Sequence, residues 1–275
     1  MSLRVPAIII LLLSFFQCAS DSGATGHEAG GNPTFESFDG QQISYRDGGD
    51  GPAVMLLHGF INDGSSWLQT QLYGQLVNSG YRVIIPDMRG NGFSAKPHTD
   101  EAYANDAEVK DLMILADELE LDSYIAIGYS RGSIVLAKLL TEDKRISRAV
   151  LGGMGVDFTD PDWPRRKQFA AAFAGETTPE TEGAVEYAKS VNADLKALHL
   201  LQKHQPVTSL DQLRSIDVPV LVAVGSSDKD NGDPGALERL FRHGKLAMMP
   251  GDHNNTYKTP VFAAAVMAFV KAGSN

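Results

Sequence analysis

The sequence predicts an α/β fold in which a mostly parallel, twisted sheet of eight strands is flanked by helices. Three observations predict it. Apolar runs of strand length alternate with segments of helical periodicity along residues 34–271, the pattern of strands buried on both faces and joined by crossover helices. A glycine-bracketed turn, Gly128-Tyr129-Ser130-Arg131-Gly132, lies where one such strand gives way to a helix. The alternation breaks once, over residues 155–212, where helical patterns succeed one another without a clear strand.

Residues 1–17 carry one positive charge, Arg4, and an apolar stretch from Val5 through Phe16 broken by Pro6 and Ser14. That stretch is short for a membrane span and has the length of a signal-peptide core, so a signal peptide over residues 1–20 and an exported protein are expected, whether periplasmic, membrane-anchored or secreted. Cys18 is the sole cysteine of the 275 residues, which excludes an internal disulfide. Lying just after the apolar stretch and before a polar tether over residues 21–33, Cys18 is similar to the acylated cysteine of bacterial lipoproteins. Phe15-Phe16-Gln17 departs from the small residues of that pattern, and ordinary cleavage near Ala19 and Ser20 stays open beside a lipid anchor.

Residues 34–38 and 41–46 read as paired strands around the Asp39-Gly40 turn signal. Strands are then predicted over 53–57, 81–85, 123–127, 148–151, 218–224 and 245–249, and helices over 67–78, 103–119, 130–140, 234–241 and 259–271. This assigns residues 34–154 and 213–275 to one core. The interval 155–212, helical over 165–174, 181–191 and 193–203, reads as a small cap inserted after the sixth strand. Such a cap would wall a pocket with residues of the type of Trp163, Phe169, Phe173, Tyr187, Leu198 and Leu201.

A net charge of −10, with 43% hydrophobic residues, disfavours nucleic acid or an anionic membrane surface as partner, since either calls for a basic patch. No nucleotide-binding glycine loop and no clustered His/Cys ligand set occurs, so no metal or organic cofactor is expected. The assembly state is not encoded in any pattern of this kind.

The candidate chemistry sits in four stretches. The first is the turn around Ser130: Gly128 and Gly132 leave room for a tight bend that projects the serine hydroxyl clear of the sheet. The second is Asp228, which follows the apolar run 218–224 within Gly225-Ser226-Ser227-Asp228. The third is His253 in Pro250-Gly251-Asp252-His253, placed between the last strand and the last helix at the sheet edge where catalytic groups of open α/β folds gather. The chain order is serine, acid, histidine. The other histidines are His27, His58, His98, His199, His204 and His243. Among these, His199 and His204 lie in the cap interval, on solvated helix faces or facing substrate. The fourth stretch is Leu56-Leu57-His58-Gly59-Phe60 at the end of an apolar run.

With these motifs in register from residue 34 to residue 271, the sequence resembles the α/β-hydrolase superfamily, in its serine-hydrolase branch of esterases, cofactor-free haloperoxidase-like enzymes and carbon-carbon bond hydrolases. The resemblance implies a Ser130-Asp228-His253 triad and two backbone N–H donors for an oxyanion, from Phe60 after His58-Gly59 and from Arg131 after the nucleophile. His58 is then a turn residue. Asp230 and Asp233 lie near Asp228, but the position three residues after Gly225 favours Asp228. Asp157, beyond the preceding strand, is the alternative seen in some relatives. The segment Asp87-Met88-Arg89-Gly90-Asn91-Gly92-Phe93-Ser94 is similar to the family's D-x-R-G-x-G-x-S loop, in which Asp87 and Arg89 are expected to satisfy loop backbone groups and each other. Serine rather than aspartate at position 130 argues against the dehalogenase and epoxide-hydrolase chemistry of this fold.

The implied function is hydrolysis of a carboxylic ester or related acyl bond of a small molecule through an acyl-enzyme, without cofactor. A lactone, an amide, a peracid-forming carboxylate or a carbon-carbon bond beside a ketone suits the same groups. A ligand-binding protein without catalysis is the competing class.

Overall fold

The computed structural model describes residues 32–272. The leader expected over residues 1–20, Cys18, His27 and the tether as far as residue 31 lie outside the described residues.

The eight expected strands form one sheet, in the order β1-β2-β4-β3-β5-β6-β7-β8. β1 (Thr34–Glu36), β2 (Gln42–Gly48) and β4 (Arg82–Pro86) pair antiparallel. The pairs from β4 through β3 (Ala53–Leu57), β5 (Tyr124–Tyr129), β6 (Ile146–Gly152), β7 (Val220–Gly225) and β8 (Gly244–Met249) are all parallel. Period-two alternation then sorts the side chains between two cores. Ala53, Met55 and Leu57 of β3 join Tyr124 and Ala126 of β5 under α3 (Ala107–Glu118) and α4 (Arg131–Glu142). Val54, Leu56, Ile125 and Ile127 face Trp67 of α1 (Ser65–Leu68), Leu72 and Leu76 of α2 (Gln71–Asn78), and Phe262 and Val266 of α10 (Pro260–Lys271). Burial on both faces explains why β3, β5 and β7 read as unbroken apolar runs. β8 is the exception: as an edge strand it leaves Leu246 and Met248 exposed.

Between β6 and β7 run α5 (Pro164–Phe173), α6 (Pro179–Ser190) and α7 (Leu195–Lys203), then the short α8 (Leu210–Arg214). α5, α6 and α7 share an apolar cluster of their own, in which Phe173, Val185 and Leu198 pack with Ala102 and Tyr103. Phe60 and Ile61 lie against its edge.

Several boundaries differ from expectation, each for a local reason. The helix predicted over 67–78 is two, because Thr70 is extended and its hydroxyl accepts from Tyr73 N–H, capping a new helix. The helix predicted from residue 103 begins at Ala107, because Asn105 and Asp106 take left-handed backbone angles of φ 55° and 58°. α9 (Pro234–Glu238) stops three residues short of the predicted 241. The D-x-R-G loop also pairs otherwise than expected. Asp87 does satisfy loop backbone, accepting from Gly64 N–H and Phe93 N–H, but its ion partner is Arg46 at 2.9 Å. Arg89 reaches the other way, to Asp111 at 2.6 Å and Asp39 at 2.5 Å, and donates to the Ala102 carbonyl. Both side chains are fully buried, so each takes a separate countercharge.

Candidate active site

The turn after β5 is closed by contact distances that only glycine allows. A Cβ on Gly128 would lie 2.5 Å from the Gly132 carbonyl carbon, and one on Gly132 would lie 2.4 Å from the Leu57 carbonyl oxygen. Between them Ser130 sits at φ 54°, ψ −123°, a conformation that L side chains rarely adopt, and its N–H is held by the Gly152 carbonyl at 2.8 Å. This bend lifts Ser130 Oγ off the sheet at the first turn of α4, where free N–H groups and the helix dipole favour negative charge.

His253 arrives from the loop after β8. Its Nε2 lies 2.8 Å from Ser130 Oγ and its Nδ1 lies 2.7 Å from Asp228 Oδ2. Asp228 is buried, and the carboxylate beside Nδ1 fixes the tautomer with the proton on that nitrogen, which leaves Nε2 to accept from the serine hydroxyl. Asn231 Nδ2 donates to Asp228 Oδ1 at 3.4 Å and to the Gly153 carbonyl at 3.3 Å. Its 3.2 Å approach to His253 Nδ1 brings two donors together, so it orients the carboxylate rather than bonding the ring. Tyr129 Oη donates to the His253 carbonyl at 2.8 Å, and its ring packs between Tyr257 and Phe262. Neither Tyr129 nor Asn231 was singled out from the sequence: an aromatic inside a strand and an asparagine in a loop carry no signal of their own.

The remaining acids are placed elsewhere. Asp157 makes no hydrogen bond to His253; its carboxylate lies against Gly232, where an added Cβ would meet Oδ1 at 2.2 Å. Asp233 caps α9 by accepting from Gly235 N–H, and Asp230 is exposed, 3.8 Å from Arg165.

Gly59 brings the β3 turn against the nucleophile: a Cβ there would stand 3.6 Å from Ser130 Cβ. His58 is buried, its Nδ1 donating to the Gly59 carbonyl at 2.8 Å while its Nε2 accepts from Met88 N–H at 3.0 Å. Burial pushes its pKa down, so the imidazole is neutral and serves as a spacer that links the two turns. Among the described residues, the Phe60 and Arg131 amides donate to no protein acceptor, and both residues line the cavity in front of Ser130. The side chain of Arg131 has a separate role. It is buried, forms a two-pronged ion pair with Glu108 of α3, and donates to the Leu201 carbonyl of α7 at 2.9 Å.

The cavity holds about 540 Å³ and includes Ser130 and His253 in its wall. Of the six residues named as candidate lining, Trp163, Phe169 and Tyr187 face it. Phe173, Leu198 and Leu201 do not; they are buried among α5, α6 and α7, with Phe173 edge-on to Phe60 at 5.2 Å. His199 Nδ1 donates to the Ala170 carbonyl at 2.8 Å and His204 contacts Asp100, so neither reaches the cavity. Polar wall residues that the apolar pattern concealed are Arg165, Arg166, Gln202, Gln205 and Lys258.

The sequence profile of the alpha/beta hydrolase fold family matches residues 52–191. The chain belongs to that family. The chain is 28% identical over 233 residues to a non-heme chloroperoxidase of Streptomyces lividans, covering 71% of this chain and 82% of that one. It is 38% identical over 87 residues to epoxide hydrolase 2 of Siraitia grosvenorii, covering 32% and 27%. Several such relatives are matched over less than half their own length. An esterase structure from Exiguobacterium antarcticum superposes with a TM-score of 0.74 at 20% identity, over 88% of this chain and all of the esterase, a likeness of fold.

Proposed function

We propose that this protein is a hydrolase that cleaves a carboxylic ester or related acyl bond of a small molecule through an acyl-enzyme on Ser130. The observation that carries the reading is the unbroken contact from Ser130 Oγ through the imidazole of His253 to Asp228. As Oγ bonds to the acyl carbon, its proton passes to His253 Nε2, and the carbonyl electron pair moves onto an oxygen held by the Phe60 and Arg131 amides. The bond to the leaving alkoxide then breaks and His253 returns the proton to it. Water repeats the sequence from the same side, releasing acid and restoring the serine. Asp228, oriented by Asn231, balances the transient imidazolium.

The chloroperoxidase relative favours a second reading, in which hydrogen peroxide takes the place of water and the acid leaves as a peracid. Lactone, amide and carbon-carbon substrates call on the same groups. Export through residues 1–20, with or without acylation of Cys18, belongs to the proposal; mass spectrometry of the mature amino terminus tests it.

A fluorophosphonate probe should label the wild-type protein at Ser130, and 4-nitrophenyl esters of graded chain length should be turned over. Ser130→Ala should abolish labelling and lower kcat by four or more orders of magnitude, with the fold retained. Ester hydrolysis unchanged in that variant overturns the assignment. An unlabelled wild-type serine points to a ligand-binding protein instead.

A further inference from the structure

The cavity wall carries a charge opposite to that of the whole chain. With a net charge of −10 the molecule is strongly acidic. Yet Arg165, Arg166 and Lys258 line the cavity beside Ser130, against a single unpaired carboxylate, that of Glu180. Glu180 is fully exposed and held toward Thr178. The other carboxylates near the site are engaged: Asp228 with His253, Glu108 with Arg131, and the exposed Asp230 with Arg165 at 3.8 Å.

Arg166 is the informative member. Its Nε and one Nη donate to the carbonyls of Gln202 and Lys203 at the end of α7, at 3.0 and 2.8 Å, which fixes the guanidinium on the cavity wall. Among the described residues it has no carboxylate within ion-pair distance, and Lys258 has none either. Burial and the neighbouring charge of Arg131 both push its pKa down, with only the weaker opposing influence of Asp162. A half-buried cation costs free energy unless a countercharge compensates it, and here the protein supplies none. Beside it, Gln205 is 4% exposed, lines the same cavity, and has an amide nitrogen without a partner. Arg165 is stacked on Phe169, 4.9 Å from guanidinium carbon to ring centre, so it too is held at the wall.

We infer that the cavity takes acyl substrates bearing a second carboxylate on the acid-derived part, held by Arg166 with Arg165 and Lys258 at the rim. The inference rests on the serine-hydrolase reading and narrows it to half-esters, lactones or comparable derivatives of dicarboxylic acids. A guanidinium fixed by two carbonyls still presents donors in the plane that a carboxylate requires, and a cationic cleft in an acidic protein concentrates anions locally.

The test compares two esters with five-carbon acyl groups, mono-4-nitrophenyl glutarate and 4-nitrophenyl valerate, which differ in a terminal carboxylate against a methyl. The wild-type enzyme should show kcat/KM at least tenfold higher for the glutarate, mainly through a lower KM, and sodium chloride should narrow the ratio. Arg166→Gln should cut the ratio about tenfold and Lys258→Gln two- to threefold. Since Arg166 also holds the end of α7, a poorly folded Arg166→Gln leaves the salt series and Lys258→Gln, an exposed site, to decide. Equal or faster hydrolysis of valerate overturns the inference while the serine-hydrolase reading stands. So does a glutarate preference that survives both substitutions. Hydrolysis of neither ester, with Ser130 still labelled by fluorophosphonate, overturns it as well; an unlabelled serine brings down the reading beneath it.

Discussion

At the scale of single residues, Ser130 and His58 show how the same loop region holds one strained residue and one neutral base. Ser130 is kept at a positive φ by the hydrogen bond from its N–H to Gly152 and by two glycines that allow backbone to touch backbone. His58, 30 residues before its partner Met88, must stay unprotonated to accept that amide hydrogen bond. Its folded pKa lies below the ordinary value of about 6.5, so below that pH the unfolded chain binds a proton that the folded protein does not. Stability is therefore complete above about pH 6.5 and falls below it, by about 1.4 kcal/mol per pH unit, until the depressed folded pKa is reached. Replacement His58→Gln keeps an acceptor for Met88 without the titration. The stability gap between wild type and this variant, measured by urea midpoints, should be widest near pH 7.5 and narrow toward pH 5.5; a gap independent of pH refutes the account. His58 was legible as a turn residue through the resemblance, from its place in the oxyanion turn, but its buried hydrogen bond to Met88 was not.

At the scale of elements, glycines divide by what their Cβ would meet. Gly132→Ala drives a methyl into the Leu57 and His58 carbonyls, with the nearest oxygen at 2.4 Å, and should cost about 3 kcal/mol or more or prevent folding. Gly74 in α2 has nothing within 4 Å, and Gly74→Ala should stabilise by about 0.5–1 kcal/mol through helix propensity and reduced chain entropy. Thermal melts of the two variants check the contrast, and similar shifts for both would refute it. Strands were easier to read than helices for a related reason. A strand buried on both faces is an apolar run whatever lies around it, as in β3 and β7. Helix ends depend on individual caps: Thr70 splits α1 from α2, and Asn105 and Asp106 delay α3, through backbone angles that their residue types permit but do not demand.

At the scale of the whole molecule, Arg131 joins three parts that the sequence separates. Its amide stands at the start of α4 facing the cavity, its guanidinium meets Glu108 of α3, and the same group holds the Leu201 carbonyl in α7, 70 residues away. A buried pair of this kind is costly to break because the survivor keeps its charge without its partner. Glu108→Ala should therefore destabilise by about 3–5 kcal/mol. Adding Arg131→Met should recover part of the loss, since the orphaned cation is removed. Chemical denaturation of the single and double variants measures both; a double variant less stable than Glu108→Ala refutes the pairing argument. The distribution of charge is also a property of this scale, since the surplus of acids lies outside a cavity whose own wall is cationic.

Residue type and near neighbours sufficed for the chain order of the chemistry-bearing turns, for the glycines around Ser130, and for the choice of serine, acid and histidine as candidates. Tertiary structure decided which acid faces His253, that Ser130 and His253, 123 residues apart, stand 2.8 Å from each other, and that Arg166 ends at the cavity wall without a countercharge. Those outcomes are set by how helices and loops from distant segments pack over one sheet edge, and no local pattern in the chain carries a distance across that edge.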